Sequence, residues 1–244
     1  MSDVALDSDF WVLDTETTGF EPRAGHKLIE IAGVKVSSGM ITGENFQFYV
    51  DPLREIPSEA VEVHNLTRED VIELGNGKIF KDVADDIIHL LSGQTIVFHN
   101  APFDMNFLDY ELEAVDLPKL SDVAGTIIDS LQYAKTIHPS KKNNLDALAK
   151  RYGVDSSNRD YHGALLDSEI LANTFLAMTK AQSHLSVSQI TKSMKSKRRE
   201  VSLSDIVKPI PKDLSVKLKA LSVDDNTKEE HMKYLKSIDE QLGW

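Results

Sequence analysis

The stretch FWVLDTETTG, residues 10–19, carries the strongest structural signal of the sequence. Phe10 to Leu13 form a short apolar run, which is the pattern of a buried strand. Asp14 and Glu16 follow directly, and residues two apart in a strand point to the same side, so both carboxylates face one site. Two acids at the end of a buried strand are costly unless protons or cations neutralise them. The stretch therefore indicates either a metal site or a solvated turn.

Strand-like and helix-like patterns alternate around this stretch over residues 1–179. Leu28 to Val36 and Asn45 to Val50 predict two strands joined by a hairpin turn, and Thr95 to Phe98 predicts a fourth strand. Helical patterns cover residues 58–73, 82–91, 103–114, 144–152 and 164–179. Three early strands followed by alternating helices and strands predict an α/β fold with a mixed sheet flanked by helices.

Charge divides the chain into an acidic body and a basic segment. Residues 1–179 contain 14 Lys and Arg against 30 Asp and Glu, a net charge of −16, whereas residues 180–219 carry a net charge of +7. Nonspecific affinity for nucleic acid comes mostly from cation–phosphate contacts, so the body should repel a polyanion. Either the substrate is not a nucleic acid, or bound metal ions reverse the local field and a partner holds the substrate.

The composition excludes several kinds of site. The 244 residues include no cysteine, which excludes a disulfide framework, a thiolate metal site and a cysteine nucleophile, and suits a reducing cytosol. The N-terminus lacks the basic region and apolar run of a signal peptide. No stretch reaches the roughly 18–20 apolar residues of a membrane span. We therefore expect a cytoplasmic protein that does not contact a membrane.

Two further acids and a histidine complete a candidate catalytic set. Asp104 follows the fourth predicted strand, near a helix start where the helix dipole also favours an ordinary acid. His162 precedes the last helix of the body, and Asp167 lies within that helix. Residues five apart on a helix are rotated by about 140° from each other, so His162 must lie on the loop before the helix if both serve one site. Taken alone, a histidine at such a position is more often a helix cap or a surface group.

Four carboxylates and one histidine are the groups that a two-metal hydrolase needs. Hard carboxylate oxygens suit Mg²⁺ or Mn²⁺ and not zinc. Two such ions can clamp the attacking and leaving oxygens of a phosphodiester. A histidine, whose ordinary pKa is near neutral, can take a proton from the attacking water. The set therefore predicts a phosphodiester hydrolase.

Three motifs resemble those of the DnaQ-like, DEDDh exonucleases. They are Asp14-Thr-Glu16-Thr-Thr-Gly19, His99-Asn100-x-x-Phe103-Asp104 and His162-x-x-x-x-Asp167. A tyrosine in place of the histidine would indicate the sister DEDDy group. The resemblance covers about residues 9–179, the expected exonuclease domain, and implies a ribonuclease H-like fold with a five-stranded mixed sheet. It also implies that His162 is the general base and that two divalent cations are held by Asp14, Glu16, Asp104 and Asp167.

The resemblance extends to a nucleotide pocket. Val63-His64-Asn65-Leu66-Thr67 is similar to the family's V-H-G-I-T stretch, with Asn65 in place of the glycine. It implies that His64 lies near the terminal nucleotide, and helix capping is the alternative. For Phe103, a place in the core is the alternative. The residues expected at the substrate are Thr15, Glu16, Thr17, His64, Asn100 and Phe103.

The C-terminal part of the sequence predicts a linker and a short helix. Residues 180–222 predict a flexible basic linker, because no aromatic residue between Phe175 and Tyr234 helps to offset the entropy of ordering. Residues 223–244 predict a helix that begins with a capping box at Thr227 to Glu230. An isolated helix this short is marginal in water, so it either folds back onto the body or is ordered by a partner's groove. The partner is favoured because the helix ends a long linker, and its expected contact residues are Tyr234, Leu235, Ile238, Leu242 and Trp244.

Within the DEDDh group, the sequence is similar to the epsilon subunits of bacterial DNA polymerase III. The segments at 162–167 and 176–179 carry this resemblance, as does the plan of body, linker and terminal helix. It implies a proofreading 3′→5′ exonuclease that acts on a DNA 3′ end and whose tail binds the catalytic alpha subunit of the polymerase. A small accessory subunit is a further candidate partner.

The linker holds two candidate contact segments. Gln182, Leu185 and Val187 follow the Q-x-x-L-x-F pattern of sliding-clamp peptides, and Val187 replaces the bulky last residue, which predicts a weak contact. The alternative is a featureless linker. The basic cluster at 195–199 is explained either as a solvated run or as a contact to DNA phosphates.

Two rival functions remain at the level of sequence. An exoribonuclease of the same group, similar to oligoribonuclease or ribonuclease T, would use the same motifs, because they act on the phosphate and not on the sugar. A non-catalytic scaffold would only stabilise a polymerase. The long linker and tail argue against the first function, and the complete set of five catalytic residues argues against the second.

Overall fold

A computed structural model describes residues 9–157 and 161–196, with the backbone course alone for residues 181–196. Within these residues, five strands form one sheet: β1 (Phe10–Thr17), β2 (Leu28–Ser37), β3 (Met40–Tyr49), β4 (Thr95–Phe98) and β5 (Thr126–Asp129). Their order across the sheet is β3-β2-β1-β4-β5. β1, β2 and β3 are antiparallel neighbours, whereas β4 and β5 run parallel to β1. This mixed sheet is the predicted architecture, with β1 at its centre.

Helices cover both faces of the sheet. In the described residues they are α1 (Ser58–His64), α2 (Arg68–Leu74), α3 (Phe80–Leu91), α4 (Ala101–Ala114), α5 (Leu120–Val123), α6 (Ser130–Ile137), α7 (Leu145–Tyr152) and α8 (Ala164–Ser196). On one face, Trp11 and Leu13 of β1 join a core with residues of α3 and α4. On the other face, Phe10 and Val12 join a core with residues of α7 and α8. The start of β1 is apolar throughout because both of its sides are covered.

Local sequence signals explain where the helices begin and end. At the start of α2, the Thr67 hydroxyl accepts the N–H of Asp70 at 3.2 Å, and the Asp70 carboxylate accepts the N–H of Thr67 at 2.8 Å. Asn144 caps α7 by accepting the N–H of Ala147 at 3.1 Å. Asn65 ends α1 with a φ of 55°. Asparagine tolerates this left-handed conformation better than most residues, which explains why it can replace glycine there.

The structure corrects the predicted end of the last helix. α8 continues to Ser196, so the end expected near residue 179 was wrong, and residues 180–196, which were assigned to the linker, are helical. The sequence from 164 to 208 contains neither glycine nor proline, so it has no strong helix breaker. The rest of the predicted linker, residues 197–222, and the predicted tail helix, residues 223–244, lie outside the described residues. None of the described helices is long and apolar enough to cross a membrane.

Candidate active site

The last half of β1 presents two acids on one side of the sheet. Asp14 and Glu16 alternate with Thr15, so both point to the face that α8 covers. In the antiparallel register, Asp14 lies opposite Ala32 of β2 and Glu16 lies opposite Glu30. The register shifts directly after Glu16, and the regular pairing therefore ends at this acid.

The first turn of α8 and the loop before it add a third acid and a histidine. Asp167 is buried in the fourth position of α8, and its carboxylate Oδ2 lies 3.1 Å from Nδ1 of His162. One ligand atom from each of Glu16, His162 and Asp167 lies within 4.8 Å of the others. His162 precedes the helix, as predicted, and its backbone N–H donates to the carbonyl of Val63 at 3.1 Å. The end of α1 therefore holds the loop that carries the histidine.

The fourth acid comes from the opposite face of the sheet. Asp104 lies in the first turn of α4, is only 3% exposed, and accepts a hydrogen bond of 2.7 Å from the Thr15 hydroxyl. Burial raises the pKa of Asp104 from 3.8 to about 7, although the bond from Thr15 acts to lower it. A buried carboxyl group whose pKa is raised to near neutrality is typical of a functional site.

The charges of several acids act on Asp14. Burial raises the pKa of Asp14 well above its usual value, and the negative charges of Asp104, Glu16, Asp167 and, least of all, Glu30 raise it further. Asp14 and the three other predicted metal ligands, Asp104, Glu16 and Asp167, therefore lie in one region of the structure. We call these four residues the acid cluster.

The acid cluster has the chemistry of a divalent-cation site. Its donors are carboxylate oxygens, with one imidazole nitrogen at its edge, a set that suits Mg²⁺ or Mn²⁺. A cation would remove the repulsion that raises the pKa of Asp14. His162 was predicted as a base and not as a ligand, but one of its ring nitrogens is placed where it can contribute to the group formed with Glu16 and Asp167.

The predicted substrate residues fall into two groups. His64 and Thr17 lie near the acid cluster: His64 interacts electrostatically with His162 and contacts the backbone of Thr17. His64 Nδ1 accepts the N–H of Leu66 at 3.1 Å, a contact in the loop between α1 and α2, so the alternative of helix capping stays a prediction. The nucleotide contacts of His64 and Thr17 remain predictions.

The other predicted substrate residues have structural partners. The Thr15 hydroxyl donates to Asp104, so this side chain supports an acid of the cluster. Phe103 is half-buried and packs on Phe107 at a ring distance of 5.3 Å, which agrees with the alternative of a place in the core. Asn100 has a φ of 77° at the start of α4, its N–H donates to Asp129, and its side chain is exposed. Contacts of these residues to a nucleotide also remain predictions.

Two residues at this end of the sheet were not predicted. Glu30 of β2 is buried opposite Glu16, and the signal for it was a single acid inside the apolar run from Leu28 to Ala32. Phe20 is 88% exposed and follows three residues after the end of β1. Its signal was a large aromatic residue directly after the first motif.

Several predicted contact residues lie beyond what the structure describes. Gln182, Leu185 and Val187 fall on α8, but only the backbone is described there. The residues predicted to bind a polymerase are outside the described residues altogether: Tyr234, Leu235, Ile238, Leu242 and Trp244.

Known proteins are similar to this chain in sequence and in fold. Residues 11–175 match the exonuclease family. A relative named DNA polymerase III subunit epsilon, from Haemophilus influenzae, is 38% identical over 95% of this chain and 91% of its own length. A relative of the same name from Pasteurella multocida is 42% identical over 71% of this chain and 69% of its own length.

Solved structures agree with these sequence matches. Exonuclease X, in complex with 5′ overhanging duplex DNA, has a TM-score of 0.56 and 26% identity over 71% of this chain and 93% of that chain. The zinc-bound complex of E. coli ExoI with single-stranded DNA shares the fold, with a TM-score of 0.63 and 21% identity over 78% of this chain and 44% of that chain. From its family match and its full-length relative, this chain belongs to the exonuclease family and, within it, to the epsilon subunits of DNA polymerase III.

Proposed function

We propose that this chain, as a 3′→5′ proofreading exonuclease, removes nucleotides one at a time from a DNA 3′ end and releases nucleoside 5′-monophosphates. The observation that carries the proposal is the convergence of acids from β1, α4 and α8. One ligand atom from each of Glu16, His162 and Asp167 lies within 4.8 Å of the others, and Thr15, which lies between Asp14 and Glu16, donates to Asp104 at 2.7 Å. Dependence on a divalent metal follows from the exonuclease family. Mg²⁺ or Mn²⁺ as the resident metal is part of the proposal.

In this proposal, the acid cluster would hold two divalent cations, whose positive charge would neutralise the carboxylates and stabilise the negative charge that develops on the phosphate. His162 is the general base, because its ring is 46% exposed at the edge of the cluster. A water oxygen attacks the phosphorus of the terminal phosphodiester, His162 takes the proton of that water, and the bond from phosphorus to the 3′ oxygen breaks. The 3′ oxygen remains on the shortened strand and receives a proton from solvent.

The terminal nucleotide is expected to lie between the end of β1 and the end of α1. His64 and Thr17 line this side of the cluster. Phe20 offers an exposed aromatic face, and stacking on such a face is tolerant of base identity. A site that removes any mispaired nucleotide needs this tolerance.

The comparison of wild type with Asp14→Ala tests the proposed reaction. Wild type with Mg²⁺ is expected to shorten a primer with a mispaired 3′ end, and Asp14→Ala is expected to lack this activity. Equal or faster cleavage of short RNA would favour an exoribonuclease. The absence of metal-dependent cleavage of both substrates would leave only a scaffold that stabilises a polymerase.

We further propose that the tail, residues 223–244, binds the catalytic alpha subunit of DNA polymerase III. The body has a net charge of −16, so a partner must supply most of the grip on DNA. The Haemophilus relative, named as a subunit of this polymerase, aligns with 95% of this chain and therefore beyond the catalytic body. A cytoplasmic location, a weak clamp contact through residues 182–187 and a small accessory subunit belong to the same proposal.

Deletion of residues 220–244 tests the role of the tail. The truncated chain is expected to cleave single-stranded DNA at the wild-type rate and to lose binding to the alpha subunit in a pull-down. A truncated body that fails to fold would instead assign the tail to its core. Two point variants add a matched comparison: Ile238→Asp lies on the apolar repeat and should weaken binding, whereas Ser237→Asp adds the same charge off the repeat and should not.

A further inference from the structure

Glu30 is a buried acid that none of the exonuclease motifs contains. Its side chain is 1% exposed on β2, within a strand whose neighbouring residues are apolar. Burying a carboxylate is costly unless its oxygens are hydrogen-bonded. The contacts of Glu30 therefore indicate what it does.

Four donor groups act on the carboxylate of Glu30. Gln47 Nε2 donates to it at 2.7 Å. Burial raises the pKa of Glu30, and the contacts from Gln47, the Tyr49 hydroxyl and the backbone N–H groups of Ala164 and Leu165 act to lower it. An ionised carboxylate has about four lone-pair sites, so these donors satisfy it. Partners within the protein therefore account for the burial of Glu30 without a metal ion.

Two of these donors belong to the helix that carries Asp167. Ala164 and Leu165 open α8, and the carbonyl of Gly163 accepts the N–H of Asp167 at 2.9 Å. The first N–H groups of a helix need partners, and Gly163 has no side chain that could accept them. Glu30 supplies the missing acceptor from the sheet, and its negative charge is favourable at the N-terminus of a helix.

A second contact ties the same turn of α8 to β2. The hydroxyl of Ser168 donates to the carbonyl of Ala32 at 3.2 Å. In the strand register, Ala32 is the partner of Asp14, and Glu30 is the partner of Glu16. β2 therefore anchors α8 at the two positions that lie beside the acids of β1.

We propose that Glu30 is a positioning residue: by closing the N-terminus of α8, it holds Asp167 and His162 at the distance from Glu16 at which the acid cluster binds divalent cations. The inference rests on the proposed function of the cluster. Groups that orient metal ligands change metal affinity or activity by about 10–100-fold when they are lost.

Substitutions of Glu30 in the full chain test this role by Mn²⁺ binding and by cleavage. Glu30→Ala is expected to weaken Mn²⁺ binding, followed by electron paramagnetic resonance, by about 10–100-fold. It should lower kcat for a 3′-mispaired primer and change KM by less than about threefold, since the nucleotide pocket is not altered.

A double variant in which the side chains of Glu30 and Gln47 are exchanged distinguishes a positioning role from a simple loss of stability. In Glu30→Gln, the new amide N–H₂ faces the amide N–H₂ of Gln47, so two donors oppose each other. Glu30→Gln combined with Gln47→Glu restores a donor facing an acceptor and keeps an amide oxygen directed at α8. Gln47 is exposed, so a carboxylate there stays hydrated. The double variant should recover Mn²⁺ binding to within about threefold of wild type, whereas Glu30→Gln alone should not.

Glu111→Gln is the matched control, because Glu111 is also a buried carboxylate but pairs with Lys27 away from α8. It should lower the Tm and leave Mn²⁺ affinity within about twofold of wild type. Wild-type Mn²⁺ affinity in Glu30→Ala, or a double variant no better than Glu30→Gln, would overturn the inference. Should Glu30→Ala not fold, the comparison of Glu30→Gln with the double variant decides. A wild type without metal-dependent cleavage would contradict the proposed function itself, whereas an active wild type with unaffected Glu30 variants contradicts only this inference.

Discussion

Two buried acidic regions of the molecule differ in how their charge is neutralised. Glu111 of α4 lies 3.0 Å from the ammonium of Lys27, so the chain supplies its own counter-charge. At the acid cluster, the charges that raise the pKa of Asp14 are those of other carboxylates. The first arrangement is an ion pair within the fold. The second places like charges together, and protons or added cations must neutralise them. This difference distinguishes an acid with a structural role from an acid of a metal site.

Removal of one carboxylate from the acid cluster should have the largest effect. Asp167→Asn keeps the shape of the side chain but removes a negative ligand, so we expect the rate of 3′-end cleavage in Mg²⁺ to fall on the order of 10³-fold or more. Single-turnover cleavage measures the rate, and Mn²⁺ titration should show weaker binding. A variant that kept the wild-type rate and metal affinity would remove Asp167 from the site.

Loss of the histidine should separate catalysis from metal binding. His162→Ala is expected to lower the cleavage rate by about 10²–10⁴-fold, which is the usual contribution of a general base. Mn²⁺ affinity should stay close to that of wild type, because the four acids remain. A parallel loss of Mn²⁺ affinity would instead assign His162 as a ligand, a role that its position within 4.8 Å of Glu16 and Asp167 permits.

Much of this site follows from local sequence. The acids of β1 alternate with apolar or small side chains, so their common face could be predicted from strand periodicity alone. His162 could be placed on the loop before α8 because five residues of helix would rotate it away from Asp167. The central sheet likewise follows from the apolar runs of β1, β2 and β4.

The remaining features depend on contacts between distant segments. The partners of Glu30 come from β3 and from the start of α8, and α8 begins more than 130 residues later in the chain. The sequence around Glu30 therefore shows only a single acid in an apolar strand. β5 has four residues, too few to show a periodic pattern, and was implied only by the family's five-stranded sheet. The extension of α8 to Ser196 was missed because a lack of large apolar residues was taken as a lack of helix.

The stability of the metal-free protein should depend on pH, because Asp104 is buried in the acid cluster. The pKa of Asp104 is raised from 3.8 to about 7, so between these values the folded state holds a proton that the unfolded chain releases. Stability therefore falls as pH rises from about 4 to about 7. Asp104→Asn should raise the free energy of unfolding at pH 8 by roughly 2 kcal/mol and change it little at pH 4.

Urea unfolding in the presence of a chelator measures this effect. Asp86→Asn is the control, because it changes the net charge equally at an exposed position of α3 and should leave stability within about 0.5 kcal/mol of wild type at both pH values. Equal stability of wild type and Asp104→Asn at pH 8 would mean that the metal-free cluster is not strained.

The smallest effect on stability, which has the opposite sign, is expected at Glu111, whose charge is paired with that of Lys27. Glu111 and Asp104 both lie on α4, and seven residues separate them. Glu111→Gln removes the partner of Lys27, but the Lys27 side chain is 32% exposed and can be hydrated, so the loss of stability should be about 1 kcal/mol. Salt should reduce this loss, because it already screens the pair in wild type.

Opposite signs at two buried carboxylates of one helix would show that neighbouring charge, and not burial alone, decides whether an acid stabilises the fold. If both substitutions shifted stability in the same direction at pH 8, burial alone would account for them and the contrast between the two regions would fail.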